Sequence, residues 1–89
     1  MESIEGVLLQ DPEEVGETGC YFLMKVHPTN FVEKVITNGG IATNCKLYLK
    51  KGSKVKINGN KIPDSNNTTQ ANNVTFLPPN YEFESIIPS

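Results

Sequence analysis

The chain has no tryptophan and no arginine, and one histidine, His27. Without tryptophan, any face that stacks on flat ligands must use phenylalanine or tyrosine. Without arginine, every basic side chain is a lysine, a point charge lacking the planar fork that grips carboxylate or phosphate bidentately. Cysteine is scarce as well. Cys20 and Cys45 with His27 are too few for a zinc site of three or four ligands, so no metal is expected. Both thiols read as small buried hydrophobes rather than as a bridge. No apolar run approaches the ~20 residues of a membrane-spanning helix. The opening Met-Glu-Ser-Ile-Glu is acidic and has no hydrophobic stretch of the signal-peptide kind, which predicts a cytoplasmic protein. There is no Gly-rich phosphate loop, and His27 has no nucleophile in its sequence context. A non-enzyme without a cofactor is the expectation.

What is there fits one small domain. At 89 residues the chain can bury one compact core. It is expected to fold over 1–79, with a tail over 80–89 able to add an edge strand. The net charge of −2 is unevenly spread. Glu2, Glu5, Asp11, Glu13, Glu14 and Glu17 crowd the start, whereas Lys46, Lys50, Lys51, Lys54, Lys56 and Lys61 fall within a short later stretch. Charges act over about a Debye length of ~8 Å, so the later run is either a local basic patch or a solvated face.

The hydrophobic pattern predicts about five strands and one helix. Ser3 to Gln10 forms the first strand, bent at Gly6. Asp11 to Gly19 reads as turns, with Glu13-Glu14 solvated. Cys20 to His27 forms a second strand that is apolar on both faces. Phe31 to Thr37 forms a third, with Val32 and Ile36 on one side and Phe31, Glu33 and Val35 on the other. Apolar positions 41, 42, 45, 48 and 49 have helical spacing, so a helix is predicted over 41–51, with Tyr48 in the core and Gly52 as its C′ residue. Lys54 to Ile57 alternates as a fourth strand, after which Asn58-Gly59 is either its end or a hairpin turn. Residues 63–71 read as a polar loop and Asn73 to Leu77 as the last strand. The expected fold is all-β, a five-stranded oligonucleotide-binding (OB) barrel with its helix between strands three and four.

Four segments in order resemble the bacterial-type single-stranded-DNA-binding proteins. They are Gly6-Val-Leu-Leu-Gln-Asp11-Pro12-Glu13, Phe22-Leu-Met-Lys-Val26, Ala42-Thr-Asn-Cys-Lys-Leu-Tyr48-Leu-Lys-Lys-Gly52-Ser-Lys-Val55-Lys-Ile57-Asn-Gly59, and Ala71-Asn-Asn73-Val74-Thr-Phe76-Leu77. The resemblance implies an OB fold that assembles as a homodimer or homotetramer. It also implies binding of single-stranded DNA, favoured over RNA, in replication, recombination or repair, with a replication or repair protein as partner and a place at the nucleoid. Such proteins track phosphates with a basic groove and stack bases on aromatic rings, each stack contributing roughly 1–3 kcal/mol.

Candidate binding residues follow. Tyr21 and Phe31 are the stacking candidates, each otherwise a core residue. Lys34 matches a phosphate-contacting position of the family. Lys50 and Lys51 are read first as lysines suited to a helix C-terminus and second as phosphate contacts. Lys56 and Lys61 would sit side by side if Asn58-Gly59 is a hairpin, and an anionic partner would relieve their repulsion. The missing tryptophans and the acidic start favour an alternative, an OB module that mediates protein–protein contacts and has lost most nucleic-acid binding.

Overall fold

A computed structural model describes residues 2–65 and 67–83. The chain forms β1 (Glu2–Leu8), β2 (Glu13–Val15), β3 (Gly19–His27), β4 (Val32–Asn38), α1 (Gly39–Tyr48), β5 (Lys54–Lys61) and β6 (Thr68–Phe76). The sheet runs β1-β5-β6-β4-β3, and β3 returns to pair with β1, so five strands close into a barrel. β4 and β6 are parallel, and the other pairs are antiparallel. This is an OB-like barrel with one helix. The helix lies between the fourth and fifth strands of the chain rather than the third and fourth, because the short β2 forms where turns were expected. β2 pairs with the start of β3 and extends the sheet outside the barrel.

Closure depends on β1 serving two neighbours. Its residues from Glu2 to Val7 pair with β5, and those from Glu5 to Leu8 pair with β3. At the crossing point the backbones come so close that a Cβ on Gly6 would lie 2.1 Å from the Lys25 carbonyl oxygen. Only glycine fits there. Gly59 has the same role on the far side, where an added Cβ would lie 2.1 Å from the Gln70 carbonyl oxygen. The register between β5 and β6 shifts at this point, between Asn58 and Gly59. The Asn58-Gly59 hairpin therefore does not form. β5 continues to Lys61, and the extra residue of the bulge is on β6.

The period-two pattern of β3 sorts its side chains. Cys20, Phe22 and Met24 point inward and are fully buried, while Tyr21, Leu23 and Lys25 point outward. Leu8, Val35, Val55, Ile57 and Ala71 complete the barrel interior, and Ala42, Cys45 and Leu49 close its end. Each large side chain so buried contributes about 1.5–3 kcal/mol. Three polar residues, Glu33, Thr37 and Thr69, are buried as well. Glu33 accepts a hydrogen bond from the Thr69 hydroxyl at 2.6 Å and faces the Lys61 ammonium at 3.9 Å.

α1 begins two residues earlier than its apolar spacing suggested and ends at Tyr48. Leu49 turns to extended backbone so that its side chain can enter the core. Tyr48 is consequently exposed rather than in the core, since only Ala42 and Cys45 of the helix are buried. Gly52 is not the residue that ends the helix. It lies in a turn closed by the Ser53 N–H on the Lys50 carbonyl at 2.9 Å. β6 starts at Thr68, inside the expected loop, because its parallel pairing with β4 at residues 34–36 is a non-local contact. Residues 80–83 add no strand, and 84–89 lie outside the described residues.

The two cysteines are free and buried, as expected. The Cys20 Sγ lies 2.9 Å from the Thr37 hydroxyl and 3.7 Å from the Ala42 carbonyl. Burial, with the Cys20 thiol beside it, pushes the Cys45 thiol up to about 12 from an ordinary 9.0. The folded chain thus holds a proton that the unfolded chain releases, and stability falls as pH rises from about 9 towards about 12. A disulfide reagent such as DTNB is expected to leave Cys45 untouched in the native chain at mildly alkaline pH and to titrate both thiols in urea. Fast native reaction at Cys45 would contradict its burial.

Candidate nucleic-acid interface

The outer surface of β3 and β4 combines aromatic, apolar and basic groups. Strand register places Tyr21 opposite Ile36, Leu23 opposite Lys34 and Lys25 opposite Val32. Since each pair shares one face, alternation puts all six on the outside while Phe22, Glu33 and Val35 fill the inside. Phe31, just before β4, is 71% exposed and Val32 is 46% exposed. A β-branched strand residue and a phenylalanine left this open form a surface that a flat apolar ligand could cover.

Tyr21 is the best-anchored member. Its hydroxyl donates to the Glu13 carboxylate on β2, and the Lys34 ammonium lies 4.7 Å from its ring centroid. The Glu13 carboxylate, through this hydrogen bond and its charge, holds the phenol above its usual range, so the ring stays neutral. A cation over the ring and a carboxylate at its edge fix the ring plane before any ligand arrives. Two loops border the face. The Leu9 N–H donates to the Leu23 carbonyl at 2.8 Å, and the Lys34 N–H donates to the Asn67 carbonyl at 2.7 Å. From the β6 side, the Gln70 amide donates to the Ile36 carbonyl at 3.4 Å.

Of the residues picked out in the sequence, this face gathers Tyr21 and Lys34, and Phe31 is exposed just before β4. The face does not gather Lys50, Lys51, Lys56 or Lys61. Lys56 is on β5, opposite Glu5 of β1 and Thr75 of β6, on another side of the barrel. Lys61 faces Glu33, and because β5 runs straight through Asn58-Gly59 the two lysines are not cross-strand neighbours. Lys50 and Lys51 lie past the end of α1, in the turn before β5. The scatter has a simple origin. β5 is separated from β4 by β6, so side chains close in sequence order open onto different walls.

Sequence reasoning missed Lys25. Its signal was available, because it has the same strand parity as Tyr21 and Leu23. The acids thought to sit in a solvated turn are instead on β2 and remain exposed, with Glu14 3.3 Å from Lys46 of α1. No helix among the described residues is long and apolar enough to cross a membrane. No protein-family model matches this chain, and no curated protein matches it.

Proposed function

We propose that this chain binds single-stranded nucleic acid, DNA before RNA, along the outer face of β3 and β4. The observation that carries the reading is the grouping of Tyr21, Lys34 and Lys25 on one face, with the exposed Phe31 just before β4. The rings supply platforms for two bases, and the ammonium groups neutralise the phosphates between them. No side chain reads a base edge in this scheme, so binding tolerates any sequence. The biological setting that fits is DNA replication, recombination or repair at the nucleoid, by a homodimer or homotetramer that works with a protein of the same machinery.

The arithmetic sets the strength. Two stacks contribute roughly 2–6 kcal/mol in total. Two lysines on the face give a log–log salt slope near ~−1.4, or about a sevenfold loss of affinity from about 50 to about 200 mM salt. Micromolar or weaker affinity is therefore expected for a labelled thymidine oligomer followed by anisotropy. A flat titration at low ionic strength and high protein concentration would remove the reading.

A second reading, a protein-interaction module that has lost most strand binding, is favoured by one observation. Glu13 sits against Tyr21, so a negative charge borders the face that phosphate would approach. Lys34→Glu separates the two. It weakens retention on immobilised thymidine oligomer under the first reading and leaves partner capture intact under the second.

A further inference from the structure

A cleft of about 500 Å³ lies away from the β3–β4 face, where the turn after α1 meets the end of β6. Tyr48, Phe76 and Leu77 form its apolar wall, and Lys50, Lys51 and Lys54 lie around it. Its surroundings expose apolar groups to an unusual degree. Leu47 and Tyr48 are each 68% exposed and Phe76 is 42% exposed. The Tyr48 and Phe76 rings stand 6.0 Å apart and tilted by 55°, a contacting pair whose exposed outer surfaces a further ring could pack against. Exposed apolar surface of this kind, rimmed by charge, marks a place where another molecule binds.

The charge defines the occupant. Lys50 and Lys51 are fixed through their backbone, by the Ser53 hydroxyl at 3.0 Å and the Asp11 carboxylate at 2.8 Å. Their ammonium groups have no partner among the described residues. Lys54, in contrast, donates to the Tyr81 carbonyl at 2.8 Å. None of the residues lining the cleft is acidic. The negative end of α1 points this way, but it amounts to about half a charge. The Leu49 N–H already takes the Cys45 carbonyl there at 2.9 Å. The Asp11 carboxylate at the Lys51 backbone offsets one charge, and Lys50, Lys51 and Lys54 together still leave the rim positive.

We propose that this cleft binds an acidic peptide segment of a partner protein, with one aromatic side chain packed against the Tyr48 and Phe76 rings and carboxylates on Lys50 and Lys51. The packed ring supplies the anchor, and the lysines select the sign of its flanks. The inference stands apart from strand binding, since it uses a different wall of the barrel.

The test uses the full chain and a fluorescein-labelled peptide, Asp-Glu-Asp-Phe-Asp-Glu, followed by anisotropy at low salt. Saturable binding is expected, weakened about tenfold or more by Tyr48→Ala and by the pair Lys50→Glu and Lys51→Glu. All three positions are exposed, so these variants keep the fold, which circular dichroism checks. Lys34→Glu should leave peptide binding unchanged while weakening the thymidine oligomer, which keeps failure of this proposal distinct from failure of the other. The proposal is overturned if the peptide does not bind, if a version with lysines for the acids binds equally well, or if the variants change nothing. Competitive displacement of the peptide by thymidine oligomer would overturn it too, by assigning the cleft to the strand.

Discussion

Gly6→Ala should destabilise the barrel by about 3 kcal/mol or more, a large share of what a small domain has. The new Cβ would lie 2.1 Å from the Lys25 carbonyl oxygen, 2.9 Å from its carbon and 2.7 Å from the Met24 Cε. The Met24 methyl could move aside. The Lys25 carbonyl could not, because it is part of the β3 backbone in the ladder that closes the barrel. β1 would have to leave either β3 or β5. Gly40→Ala is the control. An added Cβ there meets nothing within 4 Å, and alanine in a helix is favoured over glycine by about 0.5–1 kcal/mol. Urea denaturation should thus show one midpoint fall sharply and the other hold or rise. Equal midpoints for Gly6→Ala and the parent chain would mean that the close approach of β1 to β3 is wrong.

The second large effect concerns the β3–β4 face. Phe31→Ala and Tyr21→Ala should each weaken thymidine-oligomer binding by roughly 1–3 kcal/mol, if each ring carries one base. Together they should take the affinity below what anisotropy can follow. Phe31 is mostly exposed, so its truncation leaves no cavity and its effect on the melting temperature should be slight. Tyr21→Phe isolates the ring from the hydroxyl. It keeps the stacking surface and loses the bond to Glu13. Binding that survives Tyr21→Phe and fails in Tyr21→Ala identifies stacking as the source. Lys34→Glu should also flatten the salt dependence, by about 0.7 in slope for the lost phosphate contact. Unchanged affinity in both alanine variants would remove the aromatic half of the proposal and leave only lysine charge.

The β3 and β4 face was largely legible because its information is local. Alternation from Cys20 to His27 and from Phe31 to Thr37 fixed which residues share a side, and it turns Tyr21 and Lys34 outward; Phe31 has the parity of the inward Glu33 and Val35 and is exposed because it precedes the strand. The rest of the lysine pattern was not legible. Whether Lys56 and Lys61 are neighbours depends on whether the chain reverses at Asn58-Gly59, and that dipeptide suits a hairpin as well as a bulge. The choice is made by Gln70 and Ala71, whose backbone packs against Gly59 from another strand.

The amino-acid order alone therefore determined the kind of most elements, the burial of both cysteines and the all-β barrel class. These depend on periodicity and on the size of single side chains. The tertiary structure decided the rest. It added β2 beside β3, began β6 early through parallel pairing with β4, turned Leu49 into the core and so left Tyr48 outside. It also spread the lysines over separate walls. Each of these outcomes depends on which backbone lies alongside, and strand neighbours in a closed barrel are set by contacts between residues far apart in the chain.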